Sequence, residues 1–278
     1  MQWLPLTLLL SFGFGQLFKW AQRRGCRAPV VVSTNYLVVA GTLSVYYLIH
    51  GGLHLTAPVL KVGAATGCAF IVSMLVVTRA LEITDVGAAL TAFRLAILIP
   101  IGTAVWLWNE SMTATQAAGI GLAVVALVLM TRGNGRHSSL TGAGSLALVL
   151  LIFLLQGVSH SFVGWVHHAG LDPQMMLVLL VTTATAGLLG GAFLAVTRRR
   201  PRRRDLWMGT GIGLYNLVAL ALMYVTLSQV PGTVFFALQG CAVVIMDNLF
   251  AQFYWKETLS LPAKIGAGLG AISVLLVL

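Results

Sequence analysis

Ala80 to Met130 reads ALEITDVGAALTAFRLAILIPIGTAVWLWNESMTATQAAGIGLAVVALVLM, and Leu227 to Val277 reads LSQVPGTVFFALQGCAVVIMDNLFAQFYWKETLSLPAKIGAGLGAISVLLV. The two stretches align without a gap at an offset of 147 residues. Seven of the 51 pairs are identical, little above chance for such apolar compositions, so their clustering carries the signal. Trp108/Trp255, Glu110/Glu257, Gly119/Gly266, Gly121/Gly268 and Leu122/Leu269 fall within 15 columns, and Ser111/Thr258 and Thr113/Ser260 keep a hydroxyl in step. The shared plan is a long apolar helix, a W-x-E-[ST]-x-[ST] break, and a second apolar helix carrying G-x-G-L. An internal repeat governs the fold reading, and in a membrane protein it points to the centre of function.

Composition sets the class. The chain has 278 residues, 58% hydrophobic and 9% charged, against about 25% charged in a soluble domain. The net charge of +10 would suit nucleic acid. The basic residues, however, lie in short connections between apolar runs, where membrane proteins place them. The reading is therefore an integral membrane protein with no nucleic-acid partner. Cys26, Cys68 and Cys241 are far apart and show neither disulfide nor zinc spacing. The first apolar run lacks a basic leader and an A-x-A-like site, and is read as a retained helix.

Ten apolar runs lie near 3–20, 29–50, 59–80, 86–108, 113–131, 142–165, 174–197, 206–228, 232–255 and 261–278. Each is close to the roughly 20 residues that span a bilayer. They are expected to be helical, because lipid supplies no hydrogen bonds to the backbone. Residues 132–141, RGNGRHSSLT, form the longest polar connection between the halves and read as a linker. The expected organisation is a first five-helix repeat over 1–131 and a second over 142–278. An odd number of spans per half turns the second half over, so the repeats are inverted. G-C-R-A-P at Gly25–Pro29 and G-L-D-P at Gly170–Pro173 mark matching connections.

If all ten runs span, the odd-numbered connections and their flanks hold 15 of the 17 basic residues, and the other side holds Lys61 alone. The positive-inside rule then places the odd loops in the cytoplasm and both termini outside, in a bacterial inner membrane. TRRRPRRRD, Thr197–Asp205, reads as a topology anchor against anionic headgroups.

Motifs for catalysis are absent: no H-E-x-x-H, G-x-S-x-G or Walker A sequence occurs. No enzyme activity, cofactor or metal is expected. His167-His168 lacks a third ligand at helical spacing. Glu110 and Glu257 open the turns into runs 5 and 10. There a carboxylate suits the N–H groups of a helix start, with proton coupling as the alternative. Polar residues within the runs include Gln16, Asn35, Gln156, His160, Tyr215, Asn216, Gln239 and Asn248, with Arg94 and Asp247 as the deep charges. Such residues face a bundle interior or a cavity, or join helices. None of these eight falls on runs 5 or 10, which instead carry Gly119, Gly121, Gly266, Gly268 and Gly270 and suit close packing. Arg94 and Asp247 each lie about 4–5 Å from the middle of their runs, on opposite sides of it in sequence. Inversion brings them to one level. Each alone costs on the order of 2.5–3.5 kcal/mol at a helix centre, so a partner or a wet cavity is expected.

The pattern resembles the EamA-like branch of the drug/metabolite transporter superfamily. The resemblance rests on Pro100, Glu110, Thr113, Gln116 and Gly119 in the first half and Glu257, Ser260 and Gly266 in the second. Arg94 and Asn35-Tyr36 fit one subgroup. The resemblance implies ten helices, a central cavity between runs 1–4 and 6–9, runs 5 and 10 as outer supports, and transport of small metabolites by alternating access. Asp247 stands where the first half has Pro100, so the halves have diverged at their centre. The function expected is a secondary transporter of small, anionic or zwitterionic metabolites, working as exporter or exchanger within membrane lipids. Arg94 would hold the anionic group and Asp247 would be its counter-ion or a proton acceptor, while Gln16, Asn35, Gln156, His160, Tyr215, Asn216 and Gln239 would line the path. Two other readings are a lipid-linked headgroup flippase and a non-transporting membrane scaffold.

Overall fold

The computed structural model describes residues 2–83, 92–131, 143–198, 200–254 and 261–277. Among them ten α-helices follow one another without a strand: α1 (Leu4–Arg23), α2 (Ala28–His50), α3 (Ala57–Ile83), α4 (Leu98–Trp106), α5 (Ala114–Thr131), α6 (Ala143–His168), α7 (Met175–Val196), α8 (Arg203–Leu227), α9 (Gly232–Phe253) and α10 (Leu261–Val277). A 3-10 turn, Asp172–Gln174, precedes α7. Helices α2, α3, α6, α7, α8 and α9 are long and apolar enough to cross a membrane, and shorter apolar helical stretches lie at Ala92–Trp106, Ala114–Ala126 and Lys264–Val277. The linker read at 132–141, and Glu257 and Ser260, lie outside the described residues.

Local chemistry explains several of the boundaries. Helices α1 and α6 both end in a Schellman turn. Gly25 (φ +68°) and Gly170 (φ +67°) take the left-handed position that glycine adopts without a Cβ penalty. Gly25 N–H donates to Gln22 O and Cys26 N–H to Ala21 O, and Gly170 and Leu171 repeat both bonds onto His167 O and Val166 O. The carbonyls left open by the last turn are thereby satisfied. Helix α4 begins late because of Pro100. Proline has no N–H to give Ala96 O, and its ring crowds that carbonyl. Ala96 O accepts from Ile99 N–H instead, and the chain turns at Ala96–Ile97 before α4. A separate helical turn at 92–95 carries Arg94.

The chain forms two compact units, each drawing on both halves of the sequence. One comprises Met1–Phe12, Val76–Ser161 and Gln229–Leu278, the other Gly13–Leu75 and Phe162–Ser228.

In the second unit α2 packs on both α7 and α8. Leu37 meets Gly187 and Ser33 meets Gly190. The register falls on α7 as it rises on α2, so the two helices run antiparallel. Two glycine pairs open the neighbouring seams. A side chain at Gly63 of α3 would meet Val181 at 2.7 Å and Val178 O at 3.1 Å, and one at Gly209 of α8 would meet Thr34 at 2.5 Å and Val31 O at 3.1 Å. Likewise Gly67 faces Thr182 O and Thr185, and Gly213 faces Asn35 O and Val38. Residues 31, 34, 35 and 38 of α2 and 178, 181, 182 and 185 of α7 differ by 147 throughout, and the glycines by 146. The same contacts therefore occur twice. Both glycine pairs are G-x-x-x-G, the spacing that lets helix backbones approach closely.

Two polar contacts fix which connections share an end of this unit. Arg27 Nη1 donates to Arg200 O at 2.8 Å, joining the first and seventh connections. Thr56 Oγ1 donates to Gln174 Oε1 at 3.4 Å, joining the second and sixth.

In the first unit α5 lies along α10, and both touch α9. Gly119 packs against Val277, Leu276 and Ser273 O, and Ser273 Oγ donates to Gly119 O at 2.9 Å. Gly266 is buried in α10. Gly121 and Gly268 depart from expectation: both are exposed and nothing lies where a side chain would go. The packing seam uses one side of each helix, and the two-residue spacing of G-x-G puts the second glycine roughly 200° away.

Candidate functional site

Arg94 stands on the helical turn ahead of the Pro100 break, and Asp247 stands in the second half of α9. The structure brings them together: Arg94 Nη2 donates to Asp247 Oδ2 in a charge-assisted ion pair. The break sets the position of Arg94, since a continuous helix would have carried residues 92–95 on the same axis as α4. The two side chains remain 23% and 22% exposed, so the pair is not sealed by protein. That matters because a closed ion pair has no room for a third charged group.

His160 of α6 belongs to the same unit. Gln156 Nε2 donates to His160 Nε2 at 2.9 Å, one helical turn apart. The ring hydrogen then lies on Nδ1. That atom is buried and has no hydrogen-bond partner among the described residues. A buried donor without an acceptor is costly and marks a place for water or ligand. The imidazole also lies edge-on to Phe236, with centroids 5.7 Å apart. Gln239 of α9 donates from Nε2 to Ser11 Oγ of α1 at 3.2 Å. Ser11, not singled out in the sequence, thus joins the polar set of this unit. Asn248 donates to Val244 O of its own helix at 2.9 Å.

The other sequence-predicted positions lie in the second unit. Asn35 is 1% exposed, and neither amide atom has a partner among the described residues. Asn216 is buried, and Gln16 and Tyr215 are half-buried. The Tyr215 hydroxyl lies where a side chain at Gly13 would be, so a larger residue there would require the Tyr215 side chain to move. His167 Nδ1 pairs with Asp172 Oδ2 at 2.7 Å at the exposed end of α6. No group of three metal-ligating side chains occurs among the described residues.

Glu110 is a helix cap, but for a helix other than the one it precedes. Its carboxylate accepts from Gly232 N–H at 3.1 Å, Thr233 N–H at 3.0 Å and Thr233 Oγ1 at 3.1 Å. These are the open donors of the α9 N-terminus, where Pro231 is the N-cap residue and supplies no side-chain hydrogen bond. Helix α5 is capped separately by a reciprocal box: Gln116 N–H donates to Thr113 Oγ1 at 3.2 Å, and Thr113 N–H to Gln116 Oε1 at 3.0 Å. The T-x-x-Q spacing announced the box; nothing local in the sequence announced the target of Glu110.

No protein-family model matches the chain, and no curated protein matches it. The fold is similar to that of a protein of known crystal structure, with a TM-score of 0.77, 14% sequence identity and 97% of each chain covered. At that identity the likeness shows the fold alone.

Proposed function

We propose that the chain is a secondary transporter of small anionic or zwitterionic metabolites, an exporter or exchanger built from two inverted five-helix repeats in a bacterial inner membrane. The carrying observation is the open Arg94–Asp247 pair with the unpartnered His160 Nδ1–H in the same unit. In lipid, charges of this kind are kept for a function or paired for structure. A guanidinium offers a fork to a carboxylate or phosphate, and the imidazole N–H offers a further donor to a substrate oxygen. Asp247 holds Arg94 when substrate is absent and yields it when an anion arrives. With no ATP-binding motif in the sequence, a gradient or an exchanged solute supplies the energy.

The repeat reading is supported by the duplicated contacts of α2 and α7, which run antiparallel as inverted equivalents must. The twin Schellman turns of α1 and α6 support it further. The contact between the first and seventh connections accords with the odd-numbered, basic connections sharing one side, read as cytoplasmic. The test is an uptake and efflux screen of small carboxylates, amino acids and phosphate esters in proteoliposomes, with and without a pH gradient. Saturable, gradient-sensitive movement is expected; a chain that moves none of them would leave a flippase or a scaffold.

One observation favours a second reading. The ion pair joins the turn ahead of α4 to α9 within one compact unit, which is also what a permanent structural lock would do. Removing both charges together separates the readings: a lock tolerates the double loss, and a substrate site does not.

A further inference from the structure

The first and seventh connections contain a single carboxylate between them, that of Asp205, among many arginines. Asp205 is 1% exposed. Its Oδ1 accepts from Arg27 N–H at 3.2 Å and its Oδ2 from Arg202 N–H at 3.3 Å. One buried carboxylate therefore caps the starts of both α2 and α8 and holds the two connections together. Arg27 Nη1 adds a bond to Arg200 O at 2.8 Å. Cys26, in the first connection, is buried beside this latch. Arg24 lies over the Trp20 ring, 3.8 Å from its centroid.

The consequence is a question of charge balance. The acid that would neutralise this surface is buried and turned toward backbone N–H groups. Arg200, Arg202, Arg203 and Arg204 are exposed around it. Neither connection contains a lysine. A guanidinium presents a planar fork that matches phosphate oxygens in a way an ammonium does not. The patch sits at the ends of helices long and apolar enough to cross a membrane, which holds it at headgroup depth. Basic surfaces in that position recruit phosphate-bearing lipids.

We infer that the latched first and seventh connections form one binding site for the phosphate headgroup of an anionic phospholipid, with Arg203 and Arg204 as its principal ligands. The inference rests on the chain being embedded in a membrane and is independent of any transported solute.

The full chain in phosphatidylcholine nanodiscs, with and without phosphatidylglycerol, tests it by thermal unfolding and by native mass spectrometry of retained lipid. Phosphatidylglycerol should raise Tm by several degrees, because a ligand of the folded state stabilises it. Arg203→Gln/Arg204→Gln leaves Asp205, Arg27 and Arg200 in place. At about fivefold in binding per arginine near an anionic surface, it should weaken lipid retention about thirtyfold and remove most of the shift. Arg203→Lys/Arg204→Lys should fall between, since it keeps charge and loses the fork. An equal shift in the glutamine variant would overturn the inference, as would no response to phosphatidylglycerol. So would a shift of the same size from inorganic phosphate or a short RNA in phosphatidylcholine alone.

Discussion

Gly63 and Gly209 occupy the same place in two helix seams: one admits Val181 and the carbonyl of Val178, the other admits Thr34 and the carbonyl of Val31. In both, the nearest atoms include a β-branched Cβ and a backbone oxygen, neither of which can swing aside. Gly63→Leu and Gly209→Leu should therefore cost similar amounts, about 1–3 kcal/mol or more for overpacking. Gly121→Leu, which enters open space, should change little. Thermal unfolding of the three variants in detergent checks this, and a large difference between the two seam variants would contradict the equivalence.

Glu110 supplies the acceptor set at the start of α9. Glu110→Ala should destabilise the protein by about 1–2 kcal/mol, the upper range of a lost N-cap. Glu110→Gln keeps an acceptor oxygen but loses the charge facing the helix dipole, so it should cost less than alanine. Equal stability of wild type and the alanine variant would show the cap to be dispensable.

Arg198, two residues past the end of α7, has φ +51°, and at the repeat offset of 147 it corresponds to Gly51, φ +74°, after α2. An L-residue pays roughly 1–2 kcal/mol in the left-handed region. Arg198→Gly removes that cost, offset in part by the greater freedom glycine has when unfolded. A net gain of up to about 1 kcal/mol is expected in thermal unfolding, and a loss would mean that the arginine side chain contributes more than its backbone costs.

Burial, together with the charge and hydrogen bonding of the neighbouring Asp205 carboxylate, pushes the Cys26 thiol above its ordinary range, with Arg204 and Arg24 pulling the other way. The thiolate is the reactive form, so the raised value means less thiolate at neutral pH and a rate that climbs as pH rises. Cys26 should alkylate slowly at neutral pH. Asp205→Asn weakens the acceptor that holds the Arg27 and Arg202 amides, and labelling should then accelerate. A variant as unreactive as wild type would show that the latch does not cover Cys26.

The long helices were legible because apolar runs of membrane length leave little choice of structure, and the cost of a buried charge had called for a partner or a wet cavity at Arg94 and Asp247. Other features depend on residues distant in sequence. Glu110 caps α9, more than a hundred residues away, and no local pattern names that partner. Asp205 lay within a run of arginines and read as part of a basic topology anchor, although an acid three residues after a helix start is a cap signature. Gly63–Gly67 and Gly209–Gly213 carry the G-x-x-x-G spacing, which alone names no partner helix, whereas the repeat pattern singles out the glycines of α5 and α10. Of those, Gly121 and Gly268 turn away from the seam.

Transport by proteoliposomes carrying Arg94→Ala, Asp247→Ala or both, on the substrate that the wild-type protein moves best, tests the central proposal most directly. Arg94→Ala is expected to abolish saturable transport while the protein still inserts and unfolds cooperatively. The double variant should also stay inactive, because the anion has lost its guanidinium. Restored transport in the double variant would contradict the proposal and make the Arg94–Asp247 pair a structural lock.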